Sequence, residues 1–136
     1  MPDSVDLFDL VSHFNRYVLG IPQSVEITRL EGKERAWMLA ALREELTEYS
    51  AAESRGHEVD ALLDLVYFAI GGLYRMGLTP GEMRLCFRYI HEANMRKKLG
   101  AKATRPHSGD VADAVKPEGW RDPVELIQGI ISSRDS

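Results

Sequence analysis

Residues 42–68 read LREELTEYSAAESRGHEVDALLDLVYF, and the acids in this stretch decide both the fold and its chemistry. Just upstream, Met38, Ala41 and Leu42 follow the three-and-four spacing of a helix's buried stripe. Extending that stripe reaches Glu45, then Glu48 and Tyr49, then Ala52. Two carboxylates therefore occupy positions that the pattern reserves for apolar side chains. Glu44 lies beside them, within one quadrant of both at about 100° per residue. Past Gly56, VDALLDLVYFAIGGLYRM (59–76) is apolar on every side, which marks a buried helix. Asp60 and Asp64 are its only charges before Arg75, and four-residue spacing puts them on one face.

Magnitudes decide what these acids imply. Like charges on an exposed helix destabilise it by only about 0.2–0.5 kcal/mol. Burying an uncompensated carboxylate costs several kcal/mol. Acids converging from two neighbouring helices need a positive partner, and the third helix supplies no Lys or Arg before Arg75. A divalent cation meets the need, and carboxylate oxygens suit Mg²⁺, with Mn²⁺ able to substitute. Glu53 and Glu58, near the Gly56 turn, read as a solvated face. The four histidines, His13, His57, His91 and His107, show no ligand spacing. That disfavours zinc and a di-iron site built on Glu-x-x-His pairs. An all-carboxylate Mg²⁺ site is completed by substrate phosphates, so the chemistry points to phosphoryl or nucleotidyl hydrolysis.

The rest of the chain fits an all-α domain. SVDLFDLVSHFNRYVLG predicts a first helix, with Ser4 as N-cap and Gly20 as stop. A loop with Pro22 and Gly32 follows. The second helix is expected from about Lys33 to Arg55, stopped by Gly56, and the third from His57 to Met76, closed by Gly77. Gly71 and Gly72 are expected to permit close helix contact. Thr79-Pro80-Gly81-Glu82 reads as the cap of a fourth helix running to about Lys98. Residues 100–136 read as a tail with a short terminal helix in PVELIQGII, and no period-2 alternation bounded by turns is present. The expectation is a single domain over 1–136, built as a four- to five-helix bundle with antiparallel neighbours.

Composition narrows the class further. The charge is −4, from 17 basic and 21 acidic residues, which gives no bulk-charge case for nucleic-acid binding. Cys86 is the one cysteine, so no intramolecular disulfide forms, and a reducing compartment is expected. MPDSVDLFDL lacks the pattern of a signal peptide, and the longest uncharged apolar run, LVYFAIGGLY, is too short to span a bilayer. The chain reads as cytoplasmic, with no membrane partner.

The EELTE and DALLDLVYF segments together resemble the all-α nucleoside triphosphate pyrophosphohydrolase superfamily, the MazG-like group that includes phosphoribosyl-ATP pyrophosphohydrolases. Glu45 and Glu48 match its E-E-x-x-E helix, and Asp64 matches the closing Asp of its second motif. Asn94 and Lys97 fit an Asn-x-x-Lys element, and DAVKPEGW (113–120) is similar to the tail of phage-type and bacterial members. One departure stands out: the second motif is E-x-x-D, and its Glu position holds Ala61, with Asp60 one residue earlier. The resemblance implies hydrolysis between the α- and β-phosphates of a (d)NTP, giving a monophosphate and pyrophosphate. Its metal ligands would be Glu45, Glu48, Asp60 and Asp64, with Glu44 a ligand or the group that orients or deprotonates the water. Asn94, Lys97 and Lys98, in a basic cluster with Arg96, would meet phosphate, and Lys116 and Trp120 would close over substrate. It also implies a homodimer or dimer of dimers, in the host cytoplasm if phage-encoded, acting on a deoxynucleotide pool with purines favoured. Two other readings stay open: a phosphoribosyl-ATP- or dUTP-specific hydrolase of the same superfamily, and a non-catalytic helical interaction module.

Overall fold

A computed structural model describes residues 5–136, so Ser4, expected to cap the first helix, lies outside the described residues. Asp6 does the capping. Its carboxylate accepts from Asp9 N at 3.1 Å, and that of Asp9 accepts from Asp6 N at 3.4 Å, a capping box that opens α1 (Leu7–Tyr17). Helix α1 buries Val11, Ser12 and Asn15.

The second helix, α2 (Gly32–Ala51), ends earlier than its helix-forming composition predicts. Ala52 turns to an extended conformation, and Ser54 caps α3 (Arg55–Met76) by accepting from His57 N at 3.1 Å. Arg55 and Gly56 thus begin the third helix instead of ending the second. The hydroxyl cap outweighs the strong helix propensity of Ala-Ala-Glu.

Residues 52–54 connect α2 to α3, too few for anything but antiparallel neighbours. The pairing shows it: Arg75 bonds Glu34 at 3.0 Å, Phe68 meets Trp37 edge-on, Gly72 faces Met38, and Asp64 approaches Glu45. As the numbers rise along one helix they fall along the other. Gly71 and Gly72 do allow close contact. A β-carbon on Gly71 would lie 3.3 Å from Asn15 Nδ2 of α1, and one on Gly72 would lie 3.3 Å from Met38 Cε of α2. Gly77, at φ +109°, ends α3 as expected, and its N–H bonds the Leu73 and Tyr74 carbonyls. The segment between α1 and α2 then fastens this end. Thr28 N donates to Met76 O at 2.8 Å, Gln23 Nε2 to Gly77 O at 3.1 Å, and Tyr74 Oη to Ile21 O at 2.7 Å. The helix's terminal carbonyls are satisfied in this way.

Within one chain, helix α3 is buried on one side only. It is covered along Ala61, Ile70, Gly71, Gly72 and Tyr74 but exposed along Val59, Leu62, Leu63 and Val66. Helices α1 and α2 pack on it, and two neighbours cannot surround an apolar cylinder.

Contacts divide the chain between Met83 and Arg84 into two compact units, so the boundary falls inside α4 (Pro80–Met95). The expected cap of α4 is present: Thr79 N donates to Glu82 Oε1 at 2.8 Å and Glu82 N to Thr79 Oγ1 at 3.2 Å. The helix stops at Met95, short of the expected Lys98. Lys98–Leu99 (β1) instead pairs antiparallel with Ala114–Val115 (β2), Lys98 opposite Val115. Two-residue strands are too short to show alternation in a sequence. Asp113 ties the intervening loop, accepting from Ala114 N at 2.8 Å, Ser108 Oγ at 3.0 Å and Arg105 at 2.5 Å. The terminal helix, α5 (Val124–Asp135), runs further than PVELIQGII suggests. Among the described residues the fold is all-α apart from this small ladder, and no single helix is long and apolar enough to cross a membrane.

Candidate active site

The α2–α3 register that brings Met38 against Gly72 also brings Glu45 and Glu48 toward Asp64. Carboxylate oxygens of these three residues all lie within 4.8 Å of one another. Burial falls across the group, from buried Glu45 through half-buried Asp64 to exposed Glu48. The site is therefore rooted in the helix interface and open on one side. Glu45 is only 6% exposed, and its Oε2 has no hydrogen-bond partner. A buried carboxylate oxygen without a partner is costly unless something positive meets it.

Electrostatics give the same answer. Burial is the first cause that pushes the Glu45 carboxyl up to about 7, followed by a hydrogen bond to Glu48 and the charges of Glu48, Asp64 and Glu44. Burial also lifts Asp64 above its ordinary range, helped by the charges of Asp60 and Glu48. Glu45 and Asp64 therefore hold their protons more tightly than ordinary carboxyls do. A divalent cation bound to the same oxygens would displace those protons. The donor set, three carboxylates with one unpartnered buried oxygen, fits such an ion.

Asp60 stands outside this trio. It is exposed and lines an open cleft of about 470 Å³ with Glu48, Ala51, Ala52, Glu53 and His57. Ala61, where the family motif places Glu, is 2% exposed and packed inside. The cluster thus forms without a side chain replacing the missing Glu. Glu44 is exposed next to the cluster, and its charge is among those acting on Glu45.

The remaining expected site residues belong to the second unit. Lys97 Nζ sits 5.3 Å and Lys116 Nζ 4.8 Å from the centroid of the Trp120 ring. Trp120 Nε1 donates to Ala93 O at 2.6 Å. The indole anchors the tail to the end of α4 and gathers two ammonium groups around one ring. Asn94 is exposed, and its carbonyl accepts from Lys97 N at 3.0 Å. Lys98 is exposed in β1, apart from the cation pair around Trp120. The aromatic rings of Trp37 and Phe14 are engaged in the first unit. Trp37 packs edge-on to Phe68 with the Arg75 guanidinium 4.2 Å from its ring, and Phe14 packs edge-on to Tyr67.

A family model for phosphoribosyl-ATP pyrophosphohydrolase (PRA-PH) matches residues 9–94. The chain belongs to this family. With it comes the MazG-like superfamily, and membership supports a nucleotide pyrophosphohydrolase. No curated protein matches the chain significantly. The PRA-PH match contains every acid of the cluster and ends at Asn94, before Lys97, Lys98, Lys116 and Trp120. One cleft residue escapes the motif of this family: His57, three residues before Asp60 on the same face of α3. Its spacing from Asp60 and Asp64, i, i+3 and i+7 on the third helix, is the sequence signal that marks it.

Proposed function

We propose that the chain is a divalent-metal-dependent nucleoside triphosphate pyrophosphohydrolase, with Mg²⁺ as the resident ion and Mn²⁺ able to substitute. The observation that carries this reading is the convergence of Glu45, Glu48 and Asp64 in a member of the PRA-PH family, around a buried oxygen that lacks a partner. Glu45, Glu48 and Asp64 would hold the ion, and Asp60, beside Glu48 in the cleft, would add a carboxylate at its open side. When bound, the ion neutralises charge on the polyphosphate oxygens and acidifies water. Glu44 is the residue proposed to orient the attacking water and take its proton. The water oxygen bonds the α-phosphorus, the bond from that phosphorus to the β-bridging oxygen breaks, and pyrophosphate leaves with a nucleoside monophosphate.

Asn94, Lys97 and Lys98 are proposed phosphate contacts, and Lys116 and Trp120 contacts that close on substrate, because ammonium groups pair with phosphate. The proposed substrate is a (d)NTP from a deoxynucleotide pool, with purines favoured. The family model's own name supports a second reading, phosphoribosyl-ATP as substrate. A homodimer or dimer of dimers is also proposed, since the exposed stripe of Val59, Leu62, Leu63 and Val66 is apolar surface that a second copy would cover.

The test is pyrophosphate release from the common ribo- and deoxyribonucleoside triphosphates and from phosphoribosyl-ATP, with Mg²⁺ and with chelator. Release from triphosphates that chelator abolishes is the expected result. Release from phosphoribosyl-ATP alone would replace the first reading by the second. No release from any nucleotide with either metal would overturn both.

A further inference from the structure

The acidic cleft contains one side chain that can donate a hydrogen bond. Its lining is Glu48, Glu53 and Asp60, two alanines, and His57. Polyphosphate oxygens only accept. Carboxylates therefore repel them wherever no cation intervenes, and the imidazole is the one lining side chain able to bond them directly.

Ser54 engages one of the two ring nitrogens and leaves Nε2 for another partner. Its Oγ accepts from His57 N at 3.1 Å as the cap of α3 and lies 2.6 Å from His57 Nδ1. When the neutral imidazole accepts the hydroxyl hydrogen at Nδ1, the ring proton resides on Nε2; the other neutral tautomer donates from Nδ1 to the second lone pair of Oγ. With the imidazole charged, Nδ1–H donates to the second lone pair of Oγ, and Nε2 still carries hydrogen. In the charged ring, and in the neutral ring that accepts the Ser54 hydrogen, the nitrogen remote from Ser54 is a donor. The same hydroxyl starts the helix and engages Nδ1 of the ring.

We propose that His57 binds a phosphate oxygen of the nucleotide through Nε2–H and that Ser54 is its positioning residue. The assignment rests on the pyrophosphohydrolase reading for the identity of the ligand. It places a hydrogen-bond donor beside Glu48 and Asp60, in a cleft otherwise lined by acids and alanines.

Two measurements on the full-length protein test it. In steady-state pyrophosphate release, His57→Ala should raise KM about tenfold with kcat within about threefold, the loss of one hydrogen bond to a charged group. His57→Gln, whose amide N–H reaches about as far as Nε2, should restore KM to within about threefold. Ser54→Gly, which keeps most of the cap's stability, should raise KM by a smaller factor. Calorimetric binding of magnesium tripolyphosphate gives a readout independent of turnover, and His57→Ala should weaken it by a similar factor. KM and tripolyphosphate affinity unchanged in His57→Ala would overturn the assignment and leave the pyrophosphohydrolase reading intact. So would a glutamine variant no better than alanine. Tripolyphosphate binding that depends on His57, in a protein that hydrolyses no nucleotide, would sink the enzymatic reading and sustain the His57 contact. Absence of both hydrolysis and tripolyphosphate binding would overturn the two together.

Discussion

The two ends of the α2–α3 pair differ in everything but geometry. One register runs through both. At one end Gly72 meets Met38, Gly71 meets Asn15, and the loop after α1 satisfies the last carbonyls of α3. At the other end Glu45 and Glu48 meet Asp64, around a buried Glu45 oxygen with no hydrogen-bond partner among the described residues. The first end favours folding at neutral pH, and the second opposes it. The helix pair is held by its glycine end and put to use at its acidic end, so strain from the carboxylates can persist because close packing elsewhere fixes the register.

The largest expected effect strikes the acidic end alone. Glu45→Gln or Asp64→Asn should lower pyrophosphate release about a thousandfold, several kcal/mol of barrier, because each removes a cation ligand. The same variants should unfold at higher urea in chelator than the unaltered chain. A variant that lost both activity and stability would erase the contrast between the ends. Gly77→Ala should do the opposite. It forces a side chain into positive φ and drives a methyl into the Glu26 carbonyl oxygen, destabilising by roughly 3 kcal/mol, read as a shift in the urea midpoint.

A pH titration of stability in chelator compares the ends within one molecule. Glu45 titrates near 7 in the folded chain, well above its ordinary 4.5, so between those values the folded state binds more protons than the unfolded one. Its contribution is complete below the ordinary carboxylate range and is lost as pH rises through about 7. Metal-free protein should therefore be less stable at pH 8 than at pH 5, by on the order of 3 kcal/mol from this group. Asp64, shifted in the same direction, adds to the slope. Saturating Mn²⁺ should flatten or reverse it, because ligation requires the deprotonated forms.

Asp60→Asn sharpens the comparison on the acidic side. Standing outside the trio, Asp60 should matter less, with a loss of about tenfold in kcat/KM. An effect as large as that of Glu45→Gln would make it an equal ligand. The smallest effects belong to the glycine end. Asn15 is buried and bonded to Val11 O at 2.9 Å, so Gly71→Ala should cost about 1 kcal/mol. Gly72→Ala meets only the flexible tip of Met38, and its gain in helix propensity, about 1 kcal/mol, should cancel the crowding.

The acids were legible in the sequence because they interrupt a period. Glu45 and Glu48 fall on the stripe begun by Met38, and that phase error is visible without coordinates. Glycines 71, 72 and 77 and the Thr79–Glu82 cap were legible for the same reason, since local chemistry fixes them. What escaped depends on competition between weak signals. Ser54 ends one helix and starts the next against a run of helix formers, and this moved the expected boundary from Ala51 to Arg55. Asp60 and Asp64 share a face, yet only Asp64 reaches the cluster, because the meeting point of two helices is set by packing and not by angle alone. The β1–β2 ladder rests on two residue pairs and the Asp113 bonds, which leave no periodic trace.

The chain contains two tryptophans, and the division at Met83 and Arg84 assigns one to each unit. Trp37 lies against Phe68 and Arg75, while Trp120 lies among Lys97, Lys116 and the Ala93 carbonyl. Replacing either indole with phenylalanine leaves a native fluorophore that reports on the other unit alone. Melting followed by emission in the two variants would then reveal whether the halves come apart at one temperature or two, without any attached dye.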